Sequence, residues 1–237
     1  MSAAVARMLV VVPARDEAES IGACLASIAA ARAALAECEP AVATRVVVVA
    51  DACTDATAVI AREAGAEVVE IDARSVGVAR RTGIARGLDG WRAAGGGAQT
   101  WVAMTDADST VPRTWMLDQL DAARRSDVHV GRVVPEASHL SPAALAAWHA
   151  LHDELPAAAA VHGANLGVRA SALELVGGVA PMPLHEDVDL VARLRGAGAI
   201  IDERLRPPVH TSGRTRSRVE GGFASYLAAL GAAPQVE

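Results

Sequence analysis

Residues 8–17, MLVVVPARDE, run five apolar side chains in a row into a proline and then into Arg15-Asp16-Glu17. A short unbroken apolar run that stops at a turn residue suits a strand buried on both faces, as in a parallel sheet. Residues 45–51, RVVVVAD, repeat the pattern and again stop at an acid. Between them, residues 19–37 are alanine-rich, carry apolar residues at helical spacing and have Ser20 near their start, which makes a β-α-β unit. The alternation continues: 54–64 reads as helix, 67–71 as strand, 75–94 as helix and 101–105 as strand. Such alternation predicts an α/β fold, a Rossmann-like α/β/α sandwich on a mostly parallel central sheet, with ligands outside the carboxyl ends of its strands. Pro13, Asp51 and Asp106 all stand at such ends.

The second half is less regular. Residues 141–155 read as helix, 162–168 as strand, 185–195 as helix and 219–230 as a last helix, while Gly95-Gly96-Gly97 reads as a surface loop. One domain is expected for the 237 residues, with 211–237 a C-terminal segment that could move. The core should be aliphatic, because the chain has four Trp, one Tyr and one Phe. A net charge of −6 argues against nucleic acid or an anionic membrane as the main partner. All 22 basic residues are arginine, which removes Schiff-base lysine chemistry and the P-loop lysine. Cys24, Cys38 and Cys53 are odd in number and lack CxxC spacing, so neither a disulfide framework nor a zinc site is expected. A cytoplasmic protein fits, with peripheral contact at the inner face of a membrane left open. No window reaches the roughly 18 uninterrupted apolar residues of a membrane span.

Residues 104–110, MTDADST, put Asp106 and Asp108 on either side of Ala107 directly after a strand. Both carboxylates can turn toward one hard cation there; a solvated turn would use the same residue types. With Arg15-Asp16-Glu17 and Asp51, three acidic loops fall on one sheet edge. Each alone could serve a helix N-terminus, as Asp55 is expected to.

Six blocks in order carry a resemblance: VVVPARDEAESIGACLASI (10–28), VVVVADACTDATAVIA (46–61), GVARRTGIARG (77–87), MTDADSTVPRTWM (104–116), HGANLGVRASALELVGGV (162–179) and HEDVDLVARLRGAG (185–198). Together they resemble the family 2 glycosyltransferases of the GT-A fold. The resemblance implies a UDP- or GDP-sugar donor, Mg²⁺ or Mn²⁺, and transfer with inversion to a hydroxyl of an unidentified glycan, lipid or small molecule. It implies a donor half over about 1–110 and an acceptor half over about 111–210. Pro13, Ala14 and Glu17 would border the nucleoside, and Asp51 would accept a hydrogen bond from the base. Uracil and guanine both offer N–H donors to Asp51. Arg80 matches the arginine of the family's A-R-N-x-G segment and either reaches donor phosphate or pairs on the helix surface. Gly83 keeps its place, whereas Arg81 stands where asparagine is common.

Asp106, Ala107 and Asp108 would hold the donor through the cation, Asp108 being the firmer ligand and His210 a third. Asp187 would be the general base, Glu186 would orient the acceptor, and Gly163, Asn165 and His185 would line the acceptor side. Asp189 should point elsewhere. Arg214, Arg216 and Arg218 could close over the diphosphate or belong to a solvated tail.

Three rivals fare worse. Asp106-x-Asp108-x-Thr110 also matches the nucleophile loop of haloacid-dehalogenase-like phosphatases, which needs a lysine that this chain lacks. A sugar-phosphate nucleotidyltransferase would want a glycine-rich loop with arginine and lysine where PARDEAES stands. A non-catalytic nucleotide-sugar-binding or scaffolding protein would show degraded acids, yet Asp106, Asp108, Glu186 and Asp187 are all present.

Overall fold

The computed structural model describes residues 4–91, 97–152, 161–214 and 222–232. β1 (Arg7–Ala14) leads through α1 (Ile21–Cys38) to β2 (Ala43–Asp51), then through α2 (Thr57–Glu63) to β3 (Glu67–Ile71). From there α3 (Val76–Leu88) leads to β4 (Thr100–Met104). After the acidic loop come β5 (Ser109–Thr110), α4 (Trp115–Ala123), β6 (Val128–Val130), β7 (Val133–Pro135) and α5 (Pro142–His152). The chain continues through β8 (Leu166–Arg169), α6 (Ala170–Leu175), α7 (Glu186–Gly196), β9 (Ile201–Asp202), β10 (Val209–Thr211) and α8 (Phe223–Ala232).

The main sheet has the order β3-β2-β1-β4-β8-β6-β9. Its first four strands are parallel, β8 runs antiparallel to both neighbours, and β9 is again parallel to β6. Strand alternation sends β1's Met8, Val10 and Val12 to one face, against Ile21, Leu25 and Ile28 of α1 and Trp115 and Met116 of α4. Leu9 and Val11 go to the other face, against Ala79 and Ile84 of α3 and Leu190, Val191 and Leu194 of α7. Helices thus cover both sides of the sheet, and the unbroken aliphatic runs at 8–12 and 46–49 are explained. α3 lies very close to the sheet: a Cβ on Gly83 would stand 2.6 Å from Val11 Cγ1 and 2.9 Å from Val49 Cγ2.

α1 is long and apolar enough to cross a membrane by composition. Ile21, Cys24, Leu25, Ile28, Ala31 and Leu35 are nonetheless packed in the core of this fold.

The sequence-based elements need four adjustments. The strand expected over 162–168 is a short 3-10 turn at Gly163–Asn165 followed by β8. The helix expected over 75–94 ends at Leu88, with 92–94 outside the described residues. Residues 153–155 and 219–221 of the two later predicted helices also lie outside them. A second sheet, β5-β10-β7, was not foreseen. It pairs Ser109 with Thr211 and Val133 with Val209, tying the end of the acidic loop to residues a hundred positions later. Residues 211–214 are held there, whereas 215–221 and 233–237 of the C-terminal segment lie outside the described residues.

Candidate active site

A cavity of about 740 Å³ opens at the carboxyl ends of β1, β2 and β4. Its lining joins Pro13, Ala14, Glu17, Asp51, Asp106, Ala107 and Asp108 from the first half to Gly163, His185, Glu186 and Asp187 from the second. Among the described residues, four other than glycine have left-handed backbone: Asp16 (φ 51°), Ala52 (φ 54°), Arg74 (φ 53°) and His185 (φ 60°). The first three follow β1, β2 and β3, and His185 precedes α7. Such residues cost free energy that the surrounding structure must overcome, and they gather at functional sites. Asp51 holds part of this rim: Oδ1 accepts from the backbone N–H groups of Ala73 and Arg74 (2.7 and 2.8 Å), and Oδ2 from that of Ser75 (2.8 Å). Ser75 in turn caps α3, its hydroxyl accepting from the Val78 N–H. Beside the cavity, Asp16 accepts from Thr54 and Asp55 accepts from Ala18 and from Thr57. These bonds knot the β1 and β2 loops together around Cys53; the N-cap of α2 is Ala56, and Asp55, one residue earlier, accepts the N–H of its first residue, Thr57.

At the centre lies Arg80, 3% exposed. Its guanidinium pairs with Asp106 (2.6 Å) and Glu186 (2.9 Å) and donates to the Gly163 carbonyl (2.8 Å). Gly163 donates its own N–H to Asp187 Oδ2 at 2.6 Å, and Val188 N–H donates to Oδ1 at 2.8 Å. A Cβ on Gly163 would stand 2.2 Å from Arg80 Nη2, so only glycine admits this close approach. One arginine therefore links the acid after β4 directly to Glu186 and, through the Gly163 peptide, to Asp187. Burial pushes the Asp106 and Glu186 carboxyls up, and Arg80 opposes that in each.

Asp108 sits on the other side of the same loop. Thr211 donates to it at 3.3 Å and Arg214 approaches to 3.1 Å, while Arg214 also holds both oxygens of Glu17, at 2.7 and 3.0 Å. Burial, and then the charge of Asp106, push the Asp108 carboxyl up to about 6. Three carboxylates, Glu17, Asp106 and Asp108, thus crowd one wall, and the charge of Glu17 raises the cost of ionising both aspartates. An all-oxygen donor set that needs positive charge fits a hard divalent cation.

The structure corrects two site expectations and redefines a third. His210 is exposed and lies outside the lining, because alternation along β10 points Thr211, not His210, at the acid loop. Asn165 is 2% exposed and serves the interior: Oδ1 accepts from Trp115 Nε1 and Gln119 Nε2, and Nδ2 donates to the Arg132 carbonyl. Arg80 neither pairs on a helix surface nor points free into the cavity; it is buried between carboxylates. Gly163 and His185 do line the cavity, and Asp189 turns away to pair with Arg193 (2.7 Å). Arg216 and Arg218 lie outside the described residues, while Arg214 reaches the acids. Sequence reasoning missed Thr211, Arg74, Ser75, His162, Phe223 and Tyr226, all of which line the cavity. The chain's single Phe and single Tyr, three residues apart in one late helix, were the available signal for the last two.

No curated protein is a significant match for this chain. The S. aureus protein TarS matches with a TM-score of 0.62 and 16% identity, over 87% of this chain and 36% of its own. The mannosyltransferase PcManGT from Pyrobaculum calidifontis, solved with GDP-Man and Mn²⁺, matches at 0.61 and 20%, over 92% of this chain and 59% of its own. Glucosyl-3-phosphoglycerate synthase from Mycobacterium tuberculosis, solved with Mn²⁺, UDP and phosphoglyceric acid, matches at 0.56 and 16%, over 94% and 76%. The chain therefore spans about a third of TarS and about three fifths of the mannosyltransferase. The shared architecture is the GT-A fold. The model of "Glycosyl transferase family 2" matches residues 9–143, more than half of the chain, and the chain belongs to that family.

Proposed function

We propose that this chain moves a sugar from a UDP- or GDP-sugar to an acceptor hydroxyl, with a divalent cation and with inversion at the anomeric carbon. The observation that carries the reading is the single cavity in which Glu17, Asp106 and Asp108 face Asp187 across Arg80. In this reading Asp51, Pro13, Ala14 and Glu17 hold the nucleoside in the first half of the chain, and the second half holds the acceptor. Mg²⁺ or Mn²⁺ on Asp108 and Asp106 would neutralise the charge that develops on the diphosphate leaving group.

Asp187 takes the acceptor proton as the hydroxyl oxygen attacks. Each of its carboxylate oxygens accepts one backbone N–H, which fixes its direction and leaves a lone pair on each for the proton. Arg80 is a positioning residue, holding Glu186 and the Gly163 peptide that steers Asp187. The GDP- and UDP-bound proteins of the same fold support the donor class, and this site offers Asp51 to either base.

The test is isothermal calorimetry with UDP and GDP, each with and without Mn²⁺, on wild type and Asp108→Ala. Metal-dependent binding of one nucleotide, abolished in the variant, is expected. Binding of neither by folded protein would sink the donor site, and binding without any transfer or hydrolysis of the matching nucleotide-sugar would favour a non-catalytic binder. A product of retained anomeric configuration by NMR would exclude Asp187 as the base of an inverting reaction.

A further inference from the structure

The acidic wall of the cavity faces one of different chemistry. Val161, Leu184, Val188, Phe223 and Tyr226 line the cavity as well, with Val188 47% and Tyr226 41% exposed. Phe223 and Tyr226 are the chain's only residues of their types. Both pack on Trp148 of α5, which is 1% exposed, with ring centroids 5.4 and 6.0 Å away in edge-to-face geometry. His152 stacks on the same indole at 3.7 Å and bonds the Tyr226 hydroxyl through Nε2 at 3.2 Å. His162 stands 5.5 Å from Phe223. Trp101 and Trp115 are buried in the core against the sheet, whereas this second aromatic cluster stands beside the cavity. Aromatic edges and faces offer apolar surface held rigidly in place.

We propose that this wall receives the acceptor, and that the acceptor is an uncharged alcohol whose hydroxyl is borne on an apolar body. The proposal rests on the glycosyltransferase reading above and names its acceptor class. Three observations select that class. Asp106, Glu186 and Asp187 line the same cavity; of its cations, Arg80 and Arg214 are each committed to two carboxylates, and Arg15 and Arg74 stand in the loops after β1 and β3, at the nucleoside end with Asp51, so an anionic acceptor beside Asp187 meets like charge. Burial holds the His162 imidazole down at about 4, so it is neutral at pH 7 and supplies no compensating cation. A sugar acceptor would ask for several hydrogen-bonding side chains. Among the described residues of the wall the polar groups are imidazoles and one phenol, and His152 and Tyr226 already bond each other. An apolar body removes the exposed Val188 and Tyr226 surfaces from water while its hydroxyl reaches Asp187.

The test is a set of saturation-transfer NMR titrations on the full chain with Mg²⁺ and saturating nucleotide. The probes are 1-octanol and 4-phenyl-1-butanol, with methyl β-D-glucoside and glycerol 3-phosphate as counter-probes. The apolar alcohols are expected to bind at least tenfold more tightly than either counter-probe. Val188→Ser and Tyr226→Ser alter exposed positions, with an unchanged circular-dichroism spectrum and nucleotide affinity required of each variant as the check on folding; each should weaken octanol binding at least threefold, and the double variant at least tenfold. Tighter binding of the glucoside or the phosphate overturns the proposal, as does octanol binding that the double variant leaves unchanged. Nucleotide titrations of the same samples keep the two readings apart. Absent nucleotide binding counts against the donor site, whereas failure of the alcohols with nucleotide bound counts against the apolar wall.

Discussion

Arg80 meets three acceptors in three directions, which is the work of a planar guanidinium and not of a point charge. Arg80→Met should lower stability by about 3 kcal/mol in urea denaturation, because it strands the buried Glu186 carboxylate and leaves the partly exposed Asp106 unpaired. Arg80→Lys should recover only part of that; full recovery would show that charge alone suffices. Arg214 poses a different question. Its guanidinium lies where Glu17 and Asp108 would otherwise present oxygens to a cation. Arg214→Ala should therefore bind Mn²⁺ more tightly in nucleotide-free calorimetry, and weaker binding would mean that the arginine organises the acids instead of screening them.

At the scale of elements, the approach of α3 to the sheet is set by Gly83. Gly83→Val would drive side-chain atoms into Val11 and Val49, with an expected loss of about 1–3 kcal/mol read from the urea midpoint. An unchanged midpoint would show that the helix can retreat. The elements were legible to different degrees for physical reasons. β1, β2 and β4 announce themselves because residues 8–12, 47–50 and 101–104 are buried on both faces and all apolar. β5, β9 and β10 have two or three residues each, too few to carry a period, and their pairing partners lie far away in sequence. The acids of the site were legible because each ends a strand or begins a helix. The ties of Arg80 to Asp106 and Glu186 were not, since nothing local in GVARRTG records a partner on another element. Asn165 misled because a carboxamide that binds a ligand and one that bridges Trp115, Gln119 and Arg132 look alike in sequence.

For the molecule as a whole, acid should reveal its buried histidines. Burial holds His129, 2% exposed, down at about 4. The unfolded chain binds that proton below about 6.5 and the folded chain does not until about 4, so stability is complete above 6.5 and falls as pH drops through that window. Asp108, raised to about 6, acts in the opposite sense over part of the same range. Comparison with His129→Leu isolates the histidine: between pH 7 and 5 wild type should lose about 2 kcal/mol more than the variant, by urea denaturation at both values. Equal losses would mean that His129 takes up its proton as readily in the folded protein as in the unfolded chain. The small sheet has a kinetic corollary. Ser109 bonds Thr211 across 102 positions, so Asp108 acquires its neighbours only when a very long loop closes. Local β-α-β units form sooner than such distant pairings. On refolding from urea, helix signal should return before the ability to bind nucleotide, and the chemistry would be the last part of this chain to arrive.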